Sequence, residues 1–197
     1  MSVDQETINV YDAKAAQYDA LVHDADDDAH LKSFIAALPA AGRVLDLGCG
    51  PGSASARMRD HGLQVTALDA SPEMAALAKS KFGLEARIGT FDDVTETNLY
   101  DGIWASFSLL HAPRDQFPHY LAAIHRALKP KGQFCIGMKT GTDERRDGLG
   151  RQYTYYTEQE LRDHLLQTGF TISQATTGAS AGLDGVVAPW IIIHSHA

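Results

Sequence analysis

The sequence is poor in cysteine and in long apolar runs, and both shortages exclude classes of protein. Only two of its 197 residues are cysteines, Cys49 and Cys135, and neither shows C-x-x-C spacing or a neighbouring pair of histidines. The apolar run 186–193, interrupted by Pro189, is far shorter than the roughly 20 residues that a helix needs to span a bilayer. We therefore expect reduced thiols, no metal site and no membrane partner.

Basic residues are also scarce. Seventeen Lys and Arg stand against 25 Asp and Glu, which gives a net charge of -8 and makes a nucleic acid an unfavourable partner. The first residues show neither the basic patch nor the apolar stretch of a secretory signal, so the expected location is cytoplasmic. The length and the 44% hydrophobic content predict one globular domain over 1–197, while the oligomeric state is left open.

After position 43, short apolar runs alternate with helical patterns, which is typical of parallel strands joined by crossover helices. The predicted strands are Val44–Leu47, Gln64–Leu68, Glu85–Ile88, Gly102–Ser106, Gly132–Gly137, Phe170–Ala175 and Ala188–His194. The predicted helices are 7–22, Ala29–Leu38, Ser53–Asp60, Pro72–Lys81, Asp115–Leu128 and a helix that starts at the capping box Thr157–Glu160 and ends at Gly169. The acidic run of Asp24, Asp26, Asp27 and Asp28 is interpreted as a connector or a helix start between the first two helices.

The most informative segment is Val44–Gly52, VLDLGCGPG, in which an apolar strand ends in a turn with glycine at every second position and a helix follows. Glycines let a backbone approach a ligand closely, and the helix start offers free N–H groups, so a nucleotide-like ligand is expected there. Asp69 closes the next predicted strand about 20 residues later, where a carboxylate can accept hydrogen bonds from ribose hydroxyls.

Two other nucleotide motifs fit this segment poorly. No GK[ST] follows the turn, and Pro51 has no N–H to offer a phosphate, so a P-loop is excluded. Ser53 stands where a dinucleotide fingerprint needs its third glycine. Asp46, two residues before Gly48, would repel a pyrophosphate but suits a cationic amino group.

Together, Val44–Gly52 and Asp69 resemble the motif I and post-I pair of class I S-adenosylmethionine-dependent methyltransferases. The resemblance extends from about Tyr11 to Ile193. It implies an α/β, Rossmann-like sheet of seven strands, mostly parallel with an antiparallel last strand, and helices on both faces. It also implies S-adenosylmethionine as cofactor, S-adenosylhomocysteine as product, and a cofactor site covered by N-terminal helices in residues 1–40. The cofactor-binding residues that it implies are Tyr11, Tyr18, Asp46, Gly48, Cys49, Gly50, Gly52, Asp69, Ala70, Met74, Thr90, Phe91 and Ser106.

The segment Tyr100–His111 resembles the fourth-strand segment of the family. More narrowly, its Leu-Leu-His end, Leu109–His111, together with Leu149–Tyr156 and the capped helix that follows, resembles small bacterial methyltransferases of the tellurite-resistance and small-molecule type. His111 is the candidate general base for a hydroxyl or amine acceptor, whereas a thiolate or chalcogen anion would need no base. Residues 138–152 are polar and are expected to form a mobile loop over the site. At its end, Arg151, Tyr153 and Tyr155 are the candidates for acceptor selection.

The predicted function is direct displacement of a methyl group onto a small-molecule acceptor. Two alternatives stay open: a protein that binds S-adenosylmethionine without catalysis, and a nicotinamide-dependent oxidoreductase. Structural alternatives also stay open for single residues. Asp46 could cap the N–H groups of its own loop, Asp69 could cap the turn to Ser71, and His111 could bond a loop carbonyl.

Overall fold

A computed structural model describes residues 4–21 and 28–197. Most of the acidic run between the first two predicted helices lies outside these ranges, and Asp28 is its only described member. Asp28 caps the following helix, because its Oδ1 accepts hydrogen bonds from the backbone N–H groups of His30 and Leu31.

The main sheet contains seven strands, and this confirms the predicted fold class. Its strands are β1 (Arg43–Leu47), β2 (Gln64–Asp69), β3 (Arg87–Ile88), β4 (Tyr100–Ser106), β5 (Leu128–Lys139), β8 (Thr171–Ala181) and β9 (Val187–His196). Their order is β3-β2-β1-β4-β5-β9-β8. The first five strands are parallel, and β9 is antiparallel to both of its neighbours.

Within the described residues, six α-helices connect or flank these strands. They are α1 (Gln5–Leu21), α2 (Ala29–Ala36), α3 (Ser53–Asp60), α4 (Pro72–Phe82), α5 (Phe117–Ala127) and α6 (Glu158–Thr168). The cap signals of the sequence are present: Ser71 accepts from the Met74 N–H ahead of α4, and the Thr157 capping box precedes α6. Gly169 ends α6 in the left-handed conformation. No helix in the described ranges is both long and apolar enough to cross a membrane.

Alternation along the central strands gives the sheet two apolar faces. Ile103 of β4 belongs to a large buried cluster with α5 and α6, whereas the next residue, Trp104, packs with Leu31 and Phe34 of α2 and with Met58 of α3. Both faces are therefore covered, and only the strand ends are left for a ligand.

The segment predicted as a loop, 138–152, contains regular structure. A small hairpin pairs β6 (Glu144–Arg146) with β7 (Gln152–Thr154) in antiparallel register. Strand β8 also runs to Ala181, six residues beyond its prediction, because its Thr- and Ser-rich second half pairs with the first half of β9. Polar β-branched residues suit an exposed edge strand, so hydrophobicity alone underestimates its length.

Candidate functional site

The glycine-rich turn lies at the carboxyl ends of the parallel strands, and its backbone needs glycine. Gly48, Gly50 and Gly52 have φ values of 77°, 52° and 86°. A Cβ on Gly48 would lie 2.3 Å from the Cβ of Ser108, and a Cβ on Gly52 would lie 2.9 Å from that of Ala78. The turn is therefore fixed by close packing as well as by backbone conformation.

Two adjoining cavities open beside this turn. Counted together with the space that opens to solvent, the first has a volume of about 800 Å³ and the second about 900 Å³. The residues that line both are Tyr18, Gly48, Gly50, Ser106 and Phe107. The predicted residues that line only the first are Tyr11, Asp69, Ala70, Met74, Thr90, Phe91 and His111. The predicted residues that line only the second are Asp46 and Cys49.

Four predicted site residues stand outside these walls. Gly52 is the N-cap of α3 beneath the turn, and Arg151, Tyr153 and Tyr155 belong to the hairpin and the segment after it. Sequence reasoning missed Phe107, which lines both cavities and has a φ of 56°. Phe107 immediately follows the predicted strand Gly102–Ser106, and its position at the carboxyl end of a parallel strand was the signal that could have identified it as a site residue.

Asp69 organises the turn from the end of β2. Its Oδ2 accepts a hydrogen bond of 2.7 Å from the Gly50 N–H, and its Oδ1 accepts one of 2.9 Å from the Ser71 N–H. Burial raises the pKa of this carboxyl, while the backbone donors act against that rise. The capping role considered for Asp69 is therefore present, and Asp69 also lines the first cavity.

Asp46 is a buried carboxyl below the second cavity. Only 2% of its surface is exposed, and its Oδ2 accepts a hydrogen bond of 2.6 Å from the Ser55 hydroxyl. Burial raises its pKa to about 7, with the Ser55 bond acting in the opposite direction. A cationic group nearby would favour the charged form.

Both ring nitrogens of His111 are occupied. Nδ1 lies 2.6 Å from the Gln152 carbonyl oxygen, which can only accept, so Nδ1 carries the proton. Nε2 lies 2.8 Å from the Tyr11 hydroxyl oxygen and accepts a hydrogen bond from this hydroxyl. Burial lowers the pKa of His111 to about 4, so the ring is neutral at physiological pH.

Arg151 is buried, with 1% of its side chain exposed, and pairs with Asp147. Its Nε and Nη2 donate to Asp147 Oδ2 at 2.9 and 2.6 Å, and its Nη1 donates to the Tyr11 hydroxyl at 3.1 Å. Tyr153 stacks on Tyr155 and packs edge-on against His111. The sequence pattern gave no sign that Asp147 would be the partner of Arg151.

The described residues offer no metal centre. Among residues 4–21 and 28–197, no three His, Cys, Asp or Glu side chains are placed to hold a metal ion. Within the same ranges, Cys49 and Cys135 are both buried free thiols.

Comparisons with known proteins bear on the family and the fold of this chain. A family model described as a methyltransferase domain matches residues 44–132, from β1 into β5. The cypemycin N-terminal methyltransferase of a Streptomyces species is 32% identical over 169 residues, covering 81% of this chain and 69% of that protein. Among solved structures, Burkholderia thailandensis 1,6-didemethyltoxoflavin-N1-methyltransferase with bound S-adenosylhomocysteine shares the fold at a TM-score of 0.69 and 24% identity, covering 100% of this chain and 91% of that one.

Other relatives are longer than the matched region. The Bacillus subtilis (strain 168) protein YqeM, named for methyltransferase activity, is 33% identical over 131 residues, which are 62% of this chain and 53% of that protein. The match thus spans about half the length of that relative. The family model, the extended similarity to the cypemycin enzyme and the shared fold lead to one conclusion: the chain belongs to the class I S-adenosylmethionine-dependent methyltransferases.

Proposed function

We propose that the protein transfers a methyl group from S-adenosylmethionine to a small-molecule acceptor by direct displacement. The observation that carries this proposal is the junction of the two cavities at Gly48, Gly50, Ser106 and Phe107. An elongated ligand can lie across that junction with its ends in different cavities. A cavity of several hundred Å³ suits a small molecule better than a macromolecular segment.

The first cavity fits the adenosine end of the cofactor. Asp69 presents carboxylate lone pairs for ribose hydroxyls, and its backbone hydrogen bonds hold it in place. Ala70 and Met74 supply one wall of an adenine slot, and Thr90 and Phe91 supply another. Apolar walls with one oriented carboxylate are typical of nucleoside sites.

The second cavity fits the methionine end, because it offers charge of both signs to a zwitterion. Asp46 suits the ammonium group. Ser53 and Ala54, at the start of α3, line the same cavity, and the N-cap of that helix, Gly52, has no side chain to satisfy the free N–H groups. A carboxylate is stabilised at such a helix end.

The chain contributes alignment and exclusion of water. When bound, S-adenosylmethionine supplies a methyl group activated by its sulfonium. Because positive charge disperses as the methyl moves, the protein needs to hold the acceptor in line more than it needs a strong acid. Tyr11 and Tyr18 of α1 close the cavity wall, with ring centroids 5.4 Å apart.

For an acceptor that must lose a proton, His111 acts through Tyr11. The lone pair of His111 Nε2 is directed at the Tyr11 hydroxyl, so a proton leaving the acceptor passes to Tyr11 Oη while the Tyr11 proton moves to His111 Nε2. In this proposal Tyr153 and Tyr155 shape the acceptor side next to His111, and Arg151 contributes indirectly because it is buried and donates to Asp147 and Tyr11.

The relatives differ in the acceptor that their names give. One is named for the N-terminus of cypemycin, others for ubiquinone biosynthesis O-methylation, and a structural neighbour for a ring nitrogen. For this chain we propose a small amine, hydroxyl or chalcogen acceptor. A chalcogen acceptor is included because the segment that ends at His111 resembles methyltransferases of the tellurite-resistance type.

Calorimetric titration with S-adenosylmethionine and S-adenosylhomocysteine tests the proposal first. We expect both ligands to bind and Asp69→Ala to weaken binding at least about tenfold, because charged hydrogen bonds are lost. Asp60→Ala, an exposed carboxylate at the far end of α3, is the matched control and should bind normally. NADH is titrated in parallel, and thermal unfolding verifies that each variant is folded.

An acceptor screen follows, with S-adenosylhomocysteine formation as the readout and benzylamine, phenol, 2-mercaptoethanol and tellurite as probes of the acceptor classes. Turnover of any probe supports methyl transfer and names the acceptor class. Binding without turnover of these or a wider panel favours the non-catalytic protein. Failure of both adenosyl ligands to bind would refute the proposal.

A further inference from the structure

Helix α1 lies over the cofactor cavity, yet little apolar packing holds it. Of its 17 residues, only Thr7 and Ala15 are buried. Among the described residues, none of the three buried apolar clusters includes a side chain of α1. The position of this helix must therefore depend on directional polar contacts.

Several of these contacts reach the β6–β7 hairpin. The Thr7 hydroxyl accepts a hydrogen bond of 2.8 Å from the Gln152 N–H, and the Tyr11 hydroxyl accepts one from Arg151. Thr7 and Tyr11 are four residues apart and so lie on the same helical face. Just before the helix, Asp4 pairs with Arg146 at 2.8 Å.

The Arg151 contact differs from the Arg146 contact in its burial and in its supporting bonds. Arg151 and Asp147 side chains are 1% and 5% exposed, against 41% for Arg146 and 22% for Asp4. Asp147 Oδ1 also accepts from the backbone N–H groups of Leu149 and Arg151, so the carboxylate is fixed by its own turn. These bonds therefore fix the orientation of the guanidinium that donates to Tyr11.

The orientation of the Arg151 guanidinium restricts the direction in which the Tyr11 hydroxyl can donate its hydrogen bond. The guanidinium can only donate, so Tyr11 Oη accepts from Arg151 Nη1 and must direct its own proton elsewhere. His111 Nε2, at 2.8 Å, is the acceptor. The Arg151 guanidinium and the Gln152 carbonyl, which holds the proton on His111 Nδ1, thus require the same direction of the Tyr11 hydroxyl, and Tyr11 lines the cofactor cavity.

We propose that Arg151 and Asp147 are positioning residues, which act through Tyr11 to hold α1 closed over the cofactor cavity and to set the Tyr11–His111 hydrogen bond. This proposal rests on the proposed function for its consequence in cofactor binding. Its structural part, the attachment of α1 to the hairpin, does not depend on it. The sequence pattern predicts that Arg151 contacts the methyl acceptor. In this proposal Arg151 acts on the site indirectly instead.

Calorimetric titration with S-adenosylhomocysteine tests the consequence. We expect Arg151→Met to raise the dissociation constant about tenfold, as for a coupling between a distant pair and a ligand. Arg162→Met, which removes an exposed pair with Glu158 on α6, is the matched control and should leave binding unchanged. Equal affinity of the folded Arg151→Met variant and the unaltered protein would overturn the proposal.

A double-mutant cycle separates positioning from general destabilisation. If Arg151 acts through Tyr11, Tyr11→Phe combined with Arg151→Met should bind about as weakly as the weaker single variant, because both remove the same contact. Effects that multiply toward about a hundredfold would contradict this route. Arg151→Lys keeps the charge without the planar fork, so we expect it to restore part of the affinity.

Hydrogen exchange of the ligand-free protein tests the attachment without any cofactor. Arg151→Met should speed amide exchange in α1 and leave β1, β4 and β5 protected. Should Asp147, left unpaired, prevent folding, Asp147→Asn with Arg151→Met removes both charges and keeps an acceptor for the turn. Unchanged exchange in α1 would overturn the attachment, whereas loss of binding in the unaltered protein would refute the proposed function alone.

Discussion

The two adjoining cavities lie between two parts of the molecule, and different interactions stabilise each part. One part, here called the floor, consists of the glycine turn 48–52 and Asp69 at the ends of buried strands. The other, the cover, consists of α1 and the β6–β7 hairpin. Apolar burial and backbone geometry fix the floor, and the hairpin joins the same apolar cluster through Tyr153, whereas α1 is attached to the hairpin by hydrogen bonds and ion pairs. Substitutions in the glycine turn should therefore act mainly on stability, and those that detach α1 should act mainly on ligand binding.

The largest effect should come from Gly48→Ala in the floor. The added Cβ would lie 2.3 Å from the Cβ of Ser108, and the residue would keep a φ of 77°. Overpacking together with left-handed strain should lower the free energy of unfolding by roughly 2–5 kcal/mol. Denaturant titration measures this change.

Gly62→Ala is the matched control for that experiment. Gly62 has a φ of 85°, but nothing lies within 4 Å of its added Cβ. The change should therefore show the backbone strain alone, about 1–2 kcal/mol. Equal losses for the two variants would show that the close contact with Ser108 contributes nothing to the floor.

Asp46→Asn should give the next effect, and it depends on pH. The pKa of Asp46 is about 7 in the folded protein and about 4 when unfolded. Between these values the folded state keeps a proton that the unfolded chain has released, so this group's stability falls as pH rises from about 4 to 7. At about 1.4 kcal/mol per unit, the loss approaches 4 kcal/mol.

The asparagine variant lacks this titration, so its stability relative to the unaltered protein should grow as pH rises to 8. S-adenosylmethionine binding should weaken at the same time, because the ammonium loses its partner in the proposed site. Thermal unfolding at pH 5 and pH 8 measures the first effect, and calorimetry the second. A constant difference between the two proteins across that range would contradict the buried, proton-holding carboxyl.

The same division explains what could be read from the sequence. The floor is local: Gly48, Asp69 and the helix caps are encoded by short patterns, and the structure places them as expected. The cover depends on residues 140 positions apart in the chain, such as Tyr11 and Arg151. No periodicity encodes such a pair, and the short polar strands of the hairpin do not stand out by hydrophobicity.

His111→Asn, next to the cover, should give a smaller effect on stability with the opposite dependence on pH. Burial lowers the folded pKa of His111 to about 4 from an ordinary value near 6.5. Its stabilising contribution is complete above pH 6.5 and is lost as pH falls toward 4, by up to about 3 kcal/mol. The variant should lose less stability over that range, and His61→Asn, at an exposed position, is the control.

The smallest effect should come from Arg146→Met, and it sharpens the comparison within the cover itself. Arg146 bonds Asp4 with two nitrogens, as Arg151 bonds Asp147, but the side chains of this pair are 41% and 22% exposed to solvent. Water and salt screen such a pair, so S-adenosylhomocysteine affinity should change by no more than about twofold, and about 1 M salt should remove the difference. If this variant instead weakened binding as much as Arg151→Met, burial would not distinguish the two contacts. Several contacts of the hairpin would then hold α1 equally, and the Arg151–Asp147 pair would have no distinct role.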